Sequence, residues 1–470
     1  MERLRTVAAA VTIGLCAGFC GVALGQTVYP IRSIESGDTR YADLGPIKEA
    51  IGDARVVVLA EATAGDGASI LAKSRLVRWL WEEHGYDLVV FESGFFEVWH
   101  MDQVFLEGGD LRDALQVGVD NRWALSGHAM PVFELAWLSY FGDDPLRLAG
   151  LDPVSSLGAM RDPFSADIRR YLTEFAPGVW DADQIVGATE RIDVAERALA
   201  AGDDDLVVDA WLELTSVVEA YATDAPALAE AAKAAGNEPE QALFWKRALE
   251  DRLSDFERRM TALADDRSVM SSQNERQQRM GDHLVWLATE RFPDRKMIVW
   301  CEGWTAMAQP DAITAKPRPI AIADAITAGS IWNEALGDEV YTIGFTSHEG
   351  TTGRADGLPE PLPASKPGSI EAQLAELKQP FAFAEIEGDL AGVRPSKLTG
   401  VEVVMRGQGD EGQFELTLAA DWSAQLDAVF FIRRMFPSTE DGSIPLRGVL
   451  RDTAYANRER VNLGKPDETR

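Results

Sequence analysis

The sequence predicts an α/β protein with a mostly parallel β-sheet, flanking helices and a helical insertion domain. An apolar run from Val56 to Ala60 ends on Glu61, and apolar residues at helical spacing follow, which is typical of a βα unit. Further apolar runs of strand length recur along the chain, and several stop at an acidic residue. Between residues 161 and 267, Ala, Leu, Glu, Asp and Arg dominate, which favours helices.

The N-terminal residues 1–25 have the features of a secretory signal peptide. MERLR is followed by an apolar stretch broken by glycines and by a small-x-small end at Ala23-Leu24-Gly25. We therefore expect an exported protein, periplasmic or extracellular, although an uncleaved N-terminal anchor stays open. No later segment approaches the roughly 20 apolar residues of a spanning helix, so no stable membrane span is expected after signal cleavage.

Composition excludes some partners. The 470 residues include 45 Lys and Arg against 76 Asp and Glu, a net charge of −31. Nucleic acids and anionic membranes are bound by basic surfaces, so neither is an expected partner. Because Cys16 and Cys20 lie in the signal peptide, the mature chain keeps only Cys301, interpreted as a small buried apolar residue, and no intramolecular disulfide is possible.

The first part of the α/β core, residues 26–160, is predicted to begin with a loop and a short helix. Alternating strands and helices follow. They are a strand at Leu88–Phe91, helices at Phe95–Leu106 and Met130–Tyr140, and a strand at Leu146–Leu151.

The helical insertion, residues 161–267, shows no catalytic motif, although it could form one wall of a pocket. The second part of the core, residues 268–350, is predicted to contain a helix, the strand KMIVWCE and the strand VYTIGF. Residues 351–437 would supply a Pro/Gly-rich loop and the strands VEVVMRG, FELTLA and LDAVFFIRR, and residues 438–470 a C-terminal tail.

Four acidic residues follow apolar strands directly: Glu61, Glu92, Asp152 and Glu302. In a parallel sheet they would share one edge, where α/β proteins bind ligands. Each alone could simply cap the next helix. Held together, their charges cost energy unless something neutralises them.

Three kinds of neutralisation are open: a protonated carboxyl with a raised pKa, a divalent metal, or basic side chains, for which Lys73, Arg75 and Arg276 are candidates. No HExxH or CxxC motif is present, which disfavours zinc. No metal is assigned.

Other catalytic motifs are absent. The sequence has no GxSxG elbow, no GxGxxG and no P-loop, so neither a serine hydrolase nor a nucleotide-binding protein is predicted, and no cofactor is expected. Among five histidines, His128 in the loop WALSGH is the best candidate to face a pocket.

Several blocks resemble those of the erythromycin esterase-like family, from about Leu44 to Pro437. LAEATAGD is similar to the family signature Leu-Gly-Glu-x-x-His-Gly, and VVFESGFFE resembles its second glutamate motif. Further blocks in the family's order are WLSYFGDDPLRLAGLDP, RQQRMGDHLVWL, KMIVWCEGWTAM, IGFTSHEG and LDAVFFIRR.

The resemblance implies a hydrolase in which a motif histidine activates water for attack on an ester or lactone carbonyl. Glu61 and Glu92 match the family glutamates, Arg276 matches a later arginine, and Lys73 stands where an arginine is expected. The motif histidine is replaced by Ala64. The late histidine motif is also lost, because this chain has Glu-Gly-Trp-Thr at residues 302–305.

The sequence thus predicts an exported, divergent hydrolase of a small-molecule ester or lactone that uses carboxylates. The catalytic candidates are Glu61, Glu92 and Glu302. Lys73, Arg276, Asp152 and His128 are candidates for substrate binding. A catalytically degenerate small-molecule-binding protein is the main alternative, and a carboxylate-rich divalent-metal enzyme is a third.

Overall fold

A computed structural model describes residues 28–154, 163–201, 204–264, 269–316, 324–354, 358–386 and 417–439. The predicted signal peptide, nearly all of the predicted tail and the predicted strand VEVVMRG lie outside these residues. The domain boundaries and the cleavage of the signal therefore stay predictions.

The described strands follow the order of the chain. They are β1 (Val28–Ile31), β2 (Val56–Glu61), β3 (Tyr86–Gly94), β4 (Arg147–Asp152), β5 (Lys296–Glu302), β6 (Thr314–Lys316), β7 (Val340–Thr352), β8 (Glu360–Leu362), β9 (Phe381–Glu385), β10 (Thr417–Ala419) and β11 (Ala428–Met435).

The helices of the first part of the chain are short, apart from α2 and α3. They are α1 (Gly45–Ile51), α2 (Gly67–His84), α3 (Phe95–Leu106), α4 (Leu111–Gly118), α5 (Asn121–Ala124), α6 (Met130–Ser139) and α7 (Phe164–Arg170).

Longer helices follow in the predicted insertion, and the core then resumes. These are α8 (Ala182–Ala201), α9 (Asp204–Ala234), α10 (Glu240–Ala264), α11 (Val269–Trp286), α12 (Gly303–Ala306), α13 (Ala328–Leu336) and α14 (Ile370–Glu376).

The centre of the main sheet is parallel. Its strands run in the order β4-β3-β5-β2-β7-β11, all parallel to their neighbours. At one side β9 pairs antiparallel with β11 and β1 pairs antiparallel with β9, while β8 pairs antiparallel with β7. β6 and β10 form a separate pair. Because the strands are parallel, the carboxyl ends of β2, β3, β4 and β5 lie at one edge.

Successive side chains of each strand point to opposite faces of the sheet, so the core has two layers. On β2, Val56 and Val58 pack toward α11 and the long helices α8–α10, whereas Val57 and Leu59 pack toward α2 and α6. Strands buried on both faces read as continuous apolar runs, which explains why the sequence identified them. The predicted fold class, a mostly parallel α/β sheet with flanking helices and added helices, is confirmed.

Three strands of the main sheet were not predicted: β1, β8 and β9. The segment from residue 28 was expected to be a loop, but β1 pairs with β9 over Val28–Ile31. β1 has only four residues and contains Pro30, which is tolerated at a sheet edge and masks the strand pattern. Among the described residues, no helix is long and apolar enough to span a bilayer.

Candidate active site

The sheet brings the four predicted acids to one edge. Glu61 and Glu302 are lateral partners on the adjacent strands β2 and β5. Glu92 lies near the end of β3 on the other side of β5, and Asp152 ends β4 beside it. The four carboxyl groups follow each other along four neighbouring strands.

The deepest part of this cluster is an ion pair between Glu61 and Lys73. Both side chains are fully buried, and the Lys73 Nζ donates a hydrogen bond to Oε2 of Glu61. The indole Nε1 of Trp123 donates to Oε1 of Glu61 at 3.2 Å. Both carboxylate oxygens are thus occupied, and the pair lies behind the surface of the site.

Two further groups surround the ammonium of Lys73. Nζ also donates to the backbone oxygen of Cys301 at 3.2 Å and lies 4.6 Å from the ring centroid of Trp300. Burial lowers the pKa of Lys73 to about 7, although the neighbouring acidic groups act in the opposite direction.

Arg276, on α11, neutralises the carboxylate of Asp152 at the end of β4. Its Nε donates to Oδ1 of Asp152 at 2.9 Å, and its Nη2 donates to Oδ2 at 2.5 Å, a bidentate arrangement. Burial alone would raise the pKa of Asp152, but the Arg276 guanidinium outweighs it and the pKa is lowered. The same Nη2 lies 3.6 Å from Oε1 of Glu92, so Arg276 is shared between two carboxyl groups.

Glu92 and Glu302 form the centre of the cluster. The backbone N–H of Glu302 donates to Oε2 of the buried Glu92 at 2.8 Å. Burial, and then the charge of Glu302, raise the pKa of Glu92 to about 7, although Arg122 and Arg276 oppose the shift. The pKa of Glu92 therefore lies close to neutral pH.

Glu302 is the most accessible of the four acids, with a side chain that is 33% exposed. Its Oε1 accepts a hydrogen bond from Nη1 of Arg122 at 2.7 Å. Its Oε2 has no hydrogen-bond partner in the part of the chain that the structure describes. One oxygen of this carboxylate is held, and the other is available to a small molecule.

The cluster holds more carboxyl groups than cations. Lys73, Arg122 and Arg276 face the four strand-end carboxyls and Asp120, so full ionisation would leave two more negative charges than positive. The raised pKa of Glu92, about 7, reduces this excess near neutral pH. Basic partners, one of the neutralising groups predicted from the sequence, are present, and the pKa of Glu92 favours the second, a protonated carboxyl.

Arg75, a third predicted basic partner, lies elsewhere. Its guanidinium donates to Oδ1 and Oδ2 of Asp43 at 2.8 and 2.9 Å and to the backbone oxygen of Ser33. Lys73 and Arg75 are two positions apart on α2, about 200° around the helix, so they face opposite directions.

His128 is also separate from the acids in its described contacts. Its ring packs against Phe436 with a centroid distance of 5.2 Å, and its backbone oxygen accepts from the Ser74 hydroxyl. Burial lowers the pKa of His128, which favours the neutral imidazole. The structure does not connect His128 to the four carboxyls, and its role in substrate binding stays a prediction.

Ala64 and Cys301 are both buried. Ala64, in place of the motif histidine, is only 3% exposed and packs in the apolar layer on the α2 side of the sheet. Burial raises the pKa of the Cys301 thiol far above its usual value, so the thiolate needed for nucleophilic attack is disfavoured.

Sequence reasoning missed the segment from Asp120 to Trp123. Arg122 binds Glu302, and Trp123 binds Glu61, yet these partners are 180 and 62 residues away in the sequence. The available signal was an arginine beside a tryptophan in a turn, preceded by the helix-capping Asp120. Nothing local in that pattern identifies a carboxylate partner.

Two further features of the described residues bear on ligand binding. Among the described residues, no group of three or more His, Cys, Asp or Glu side chains is arranged to hold a metal ion. A cavity of about 350 Å³ lies between α10 and α11, lined by charged side chains that include Arg247, Glu250 and Asp282. None of its lining residues belongs to the acid cluster.

Comparison with known proteins gives a family match. The family model described as erythromycin esterase matches residues 81–435. This match begins after the first motif, so it does not include Ala64. A putative hydrolase, YbfO of Bacillus subtilis (strain 168), is 22% identical over 380 residues, which are 75% of this chain and 79% of that protein.

Solved structures share the fold at low identity. A Bacillus cereus protein has a TM-score of 0.67 at 15% identity, covering 88% of this chain and 96% of its own. A mutant of the erythromycin esterase EreC in its open conformation has a TM-score of 0.64 at 15% identity, covering 89% and 100%. A succinoglycan biosynthesis protein has a TM-score of 0.63 at 17% identity, covering 88% and 96%.

Proposed function

This chain belongs to the erythromycin esterase family, and we propose that it is a divergent hydrolase that cleaves an ester or lactone of a small molecule with a carboxylate as base. The family and the relative described as a putative hydrolase support a hydrolase-like function. The observation that carries the finer proposal is the Glu302 carboxylate, held at Oε1 by Arg122 in a side chain that is 33% exposed, with no hydrogen bond to Oε2 from the described residues.

In the proposed reaction, Oε2 of Glu302 takes a proton from a water molecule as the water oxygen attacks the carbonyl carbon. The negative charge that develops on the carbonyl oxygen is stabilised by Arg276, whose side chain is 21% exposed. The bond to the leaving oxygen then breaks, and Glu302 returns its proton to that oxygen. The products are a carboxylic acid and an alcohol, or a hydroxy acid from a lactone.

The other predicted site residues support this centre. Glu92 holds a proton beside Glu302 and limits the repulsion between them. Glu61 and Lys73 form the buried base of the site, and Asp152 orients Arg276. His128 is proposed to contact the part of the substrate that reaches toward Phe436.

The substrate and location follow from the same proposal. Relatives of this family include an erythromycin esterase, so macrolide lactones are the first substrates to test. The signal-like residues 1–25 support an exported, periplasmic or extracellular enzyme. Cell fractionation together with N-terminal sequencing of the mature chain tests the location.

A hydrolysis screen of the mature chain on small esters, lactones and macrolides tests the activity. We expect hydrolysis that Glu302→Gln lowers by about 10²–10⁴-fold, the usual contribution of a positioned base. Glu339→Gln is the matched control, because Glu339 also pairs with an arginine, Arg55, at 2.7 Å, but lies before β7 at the opposite edge of the sheet. Hydrolysis that survives Glu302→Gln would remove Glu302 as the base.

A second candidate function is a catalytically degenerate protein that binds a small molecule. The replacement of the motif histidine by the buried Ala64 favours this possibility. A chain that hydrolyses nothing in the screen, but whose melting temperature rises with a macrolide in wild type and not in Arg276→Gln, would support it.

A further inference from the structure

We infer that Arg122 is a positioning residue that fixes the Glu302 carboxylate and presents its Oε2 to the substrate. This inference rests on the proposed role of Glu302 as base. The effect of Arg122 on the position of the Glu302 side chain can be tested without measuring activity.

The guanidinium of Arg122 makes two hydrogen bonds through its Nη atoms, and its Nε has an ion-pair contact that lacks hydrogen-bond geometry. Nη1 donates to Oε1 of Glu302 at 2.7 Å, Nη2 donates to the backbone oxygen of Glu92 at 3.1 Å, and Nε lies 3.1 Å from Oδ1 of Asp120. The guanidinium carbon lies 4.6 Å from the ring centroid of Trp123. A planar group held at its edges and on one face has little freedom to rotate.

The segment that carries Arg122 is itself attached to three strands. The backbone N–H of Asp120 donates to the hydroxyl oxygen of Ser93, on β3, at 2.7 Å. Oδ1 of Asp120 accepts from the Arg122 backbone N–H at 2.7 Å, which caps the short helix α5. Trp123 donates to Glu61 on β2, so the segment spans the ends of β2, β5 and β3.

These contacts have a consequence for the orientation of Glu302. A glutamate side chain with an accessible end samples several rotamers, and a base must hold its oxygen near the attacking water. Arg122 removes that freedom by binding Oε1 from a rigid platform. A lysine has one point charge and cannot bind Glu302, the Glu92 backbone and Asp120 in the same fixed geometry.

The test uses Arg122→Gln, Arg122→Lys and Arg122→Ala. We expect kcat to fall about 10²-fold in Arg122→Gln with little change in KM, since a misplaced base affects the chemical step. Arg122→Lys should retain an intermediate kcat, and added guanidinium at non-denaturing concentration should partly restore Arg122→Ala. Arg191→Gln is the control, because it removes an exposed arginine paired with Glu213 at 3.0 Å in the insertion.

Crystal structures of wild type and Arg122→Gln supply the measurement that needs no substrate. We expect the Glu302 side chain to leave its single position in the variant, while the backbone of β5 is unchanged. If this occurs and the wild type hydrolyses no ester, the positioning inference stands and the proposed function fails. If wild type is active and the variant keeps its kcat, or Glu302 stays in place, the inference is overturned.

Discussion

The backbone N–H of Glu302 donates to the Glu92 carboxylate at 2.8 Å, which joins the accessible acid of the site to the buried one. The hydrogen bond crosses from β5 to β3, so a change in the charge of Glu92 acts directly on the residue beside it. Burial and the charge of Glu302 raise the pKa of Glu92 to about 7. The charge of the cluster therefore changes with pH near neutrality.

The first prediction concerns the pH dependence of stability. The folded protein holds the Glu92 proton up to about pH 7, whereas the unfolded chain releases it near 4.5. Because the folded state binds this proton more tightly, the free energy of unfolding should fall as pH rises through that window. Glu92→Gln should flatten this dependence, measured by urea unfolding at intervals from pH 4 to pH 8.

Glu107→Gln is the control for this experiment, since Glu107 is exposed and pairs with Arg170 on the surface. Burial also raises the pKa of Asp66, to about 6, so part of the slope should persist in Glu92→Gln. An unchanged slope in Glu92→Gln would mean that Glu92 is ionised in the folded protein.

The second prediction concerns the buried pair of Glu61 and Lys73. Lys73→Met leaves the Glu61 carboxylate buried with only the Trp123 indole as partner, which should cost about 3–5 kcal/mol in the free energy of unfolding. The double variant with Glu61→Gln should recover much of that loss, because no buried charge remains. Urea unfolding of the two single variants and the double variant measures the coupling.

Lys246→Met gives the comparison at the surface, where Lys246 pairs with Glu250 at 3.0 Å. An exposed pair of this kind contributes about 0–1 kcal/mol. Equal losses for Lys73→Met and Lys246→Met would contradict the buried, paired state of Lys73.

The sequence was sufficient to identify the strands that carry the acids. β2, β4 and β5 are apolar runs that end on a carboxyl, and β3 carries Glu92 two residues before its end, so each has the pattern of a buried strand with an acidic end. The order of these strands within the sheet could not be predicted from the sequence. β5 lies between β2 and β3, although β4 and the helices α7 to α11 separate it from them in the chain.

Side-chain partners were harder to predict than strands. The sequence gives no reason to prefer Lys73 over Arg75 as the partner of a strand-end acid, because both are basic residues on α2. The orientation of α2 against the sheet determines that Lys73 pairs with Glu61 and that Arg75 pairs with Asp43. Arg122 was missed for the same reason, because its contacts with Glu92 and Glu302 form only when distant strands assemble.

The third prediction concerns the position of the lost histidine. Ala64 is 3% exposed within a packed apolar layer, so Ala64→His adds an imidazole where little space exists. We expect a loss of about 1–3 kcal/mol in stability, the usual cost of overpacking, and no gain in ester hydrolysis. Ala64→Leu adds comparable volume without a base and is the control. Higher hydrolysis in Ala64→His alone would show that the site still accepts the family base, and would favour the degenerate binding protein.

The fourth prediction concerns the contact between the start of α2 and the chain that follows β11. A Cβ atom on Gly67, the first residue of α2, would lie 2.5 Å from the backbone oxygen of Pro437, just after β11. That backbone cannot retreat freely, because the Ser438 N–H donates at 2.9 Å to the carbonyl oxygens of both Gly65 and Gly353. Gly67→Ala should therefore lower the free energy of unfolding by about 1–3 kcal/mol, as overpacking does.

Gly187→Ala is the matched substitution, since Gly187 lies inside α8 and its Cβ would meet no atom within 4 Å. Alanine is favoured over glycine in a helix by roughly 0.5–1 kcal/mol, so this variant should gain stability. The two substitutions should change the free energy of unfolding in opposite directions only if the chain after β11 packs on the start of α2. If urea unfolding shows that both substitutions stabilise the protein, the segment after β11 does not pack on the start of α2.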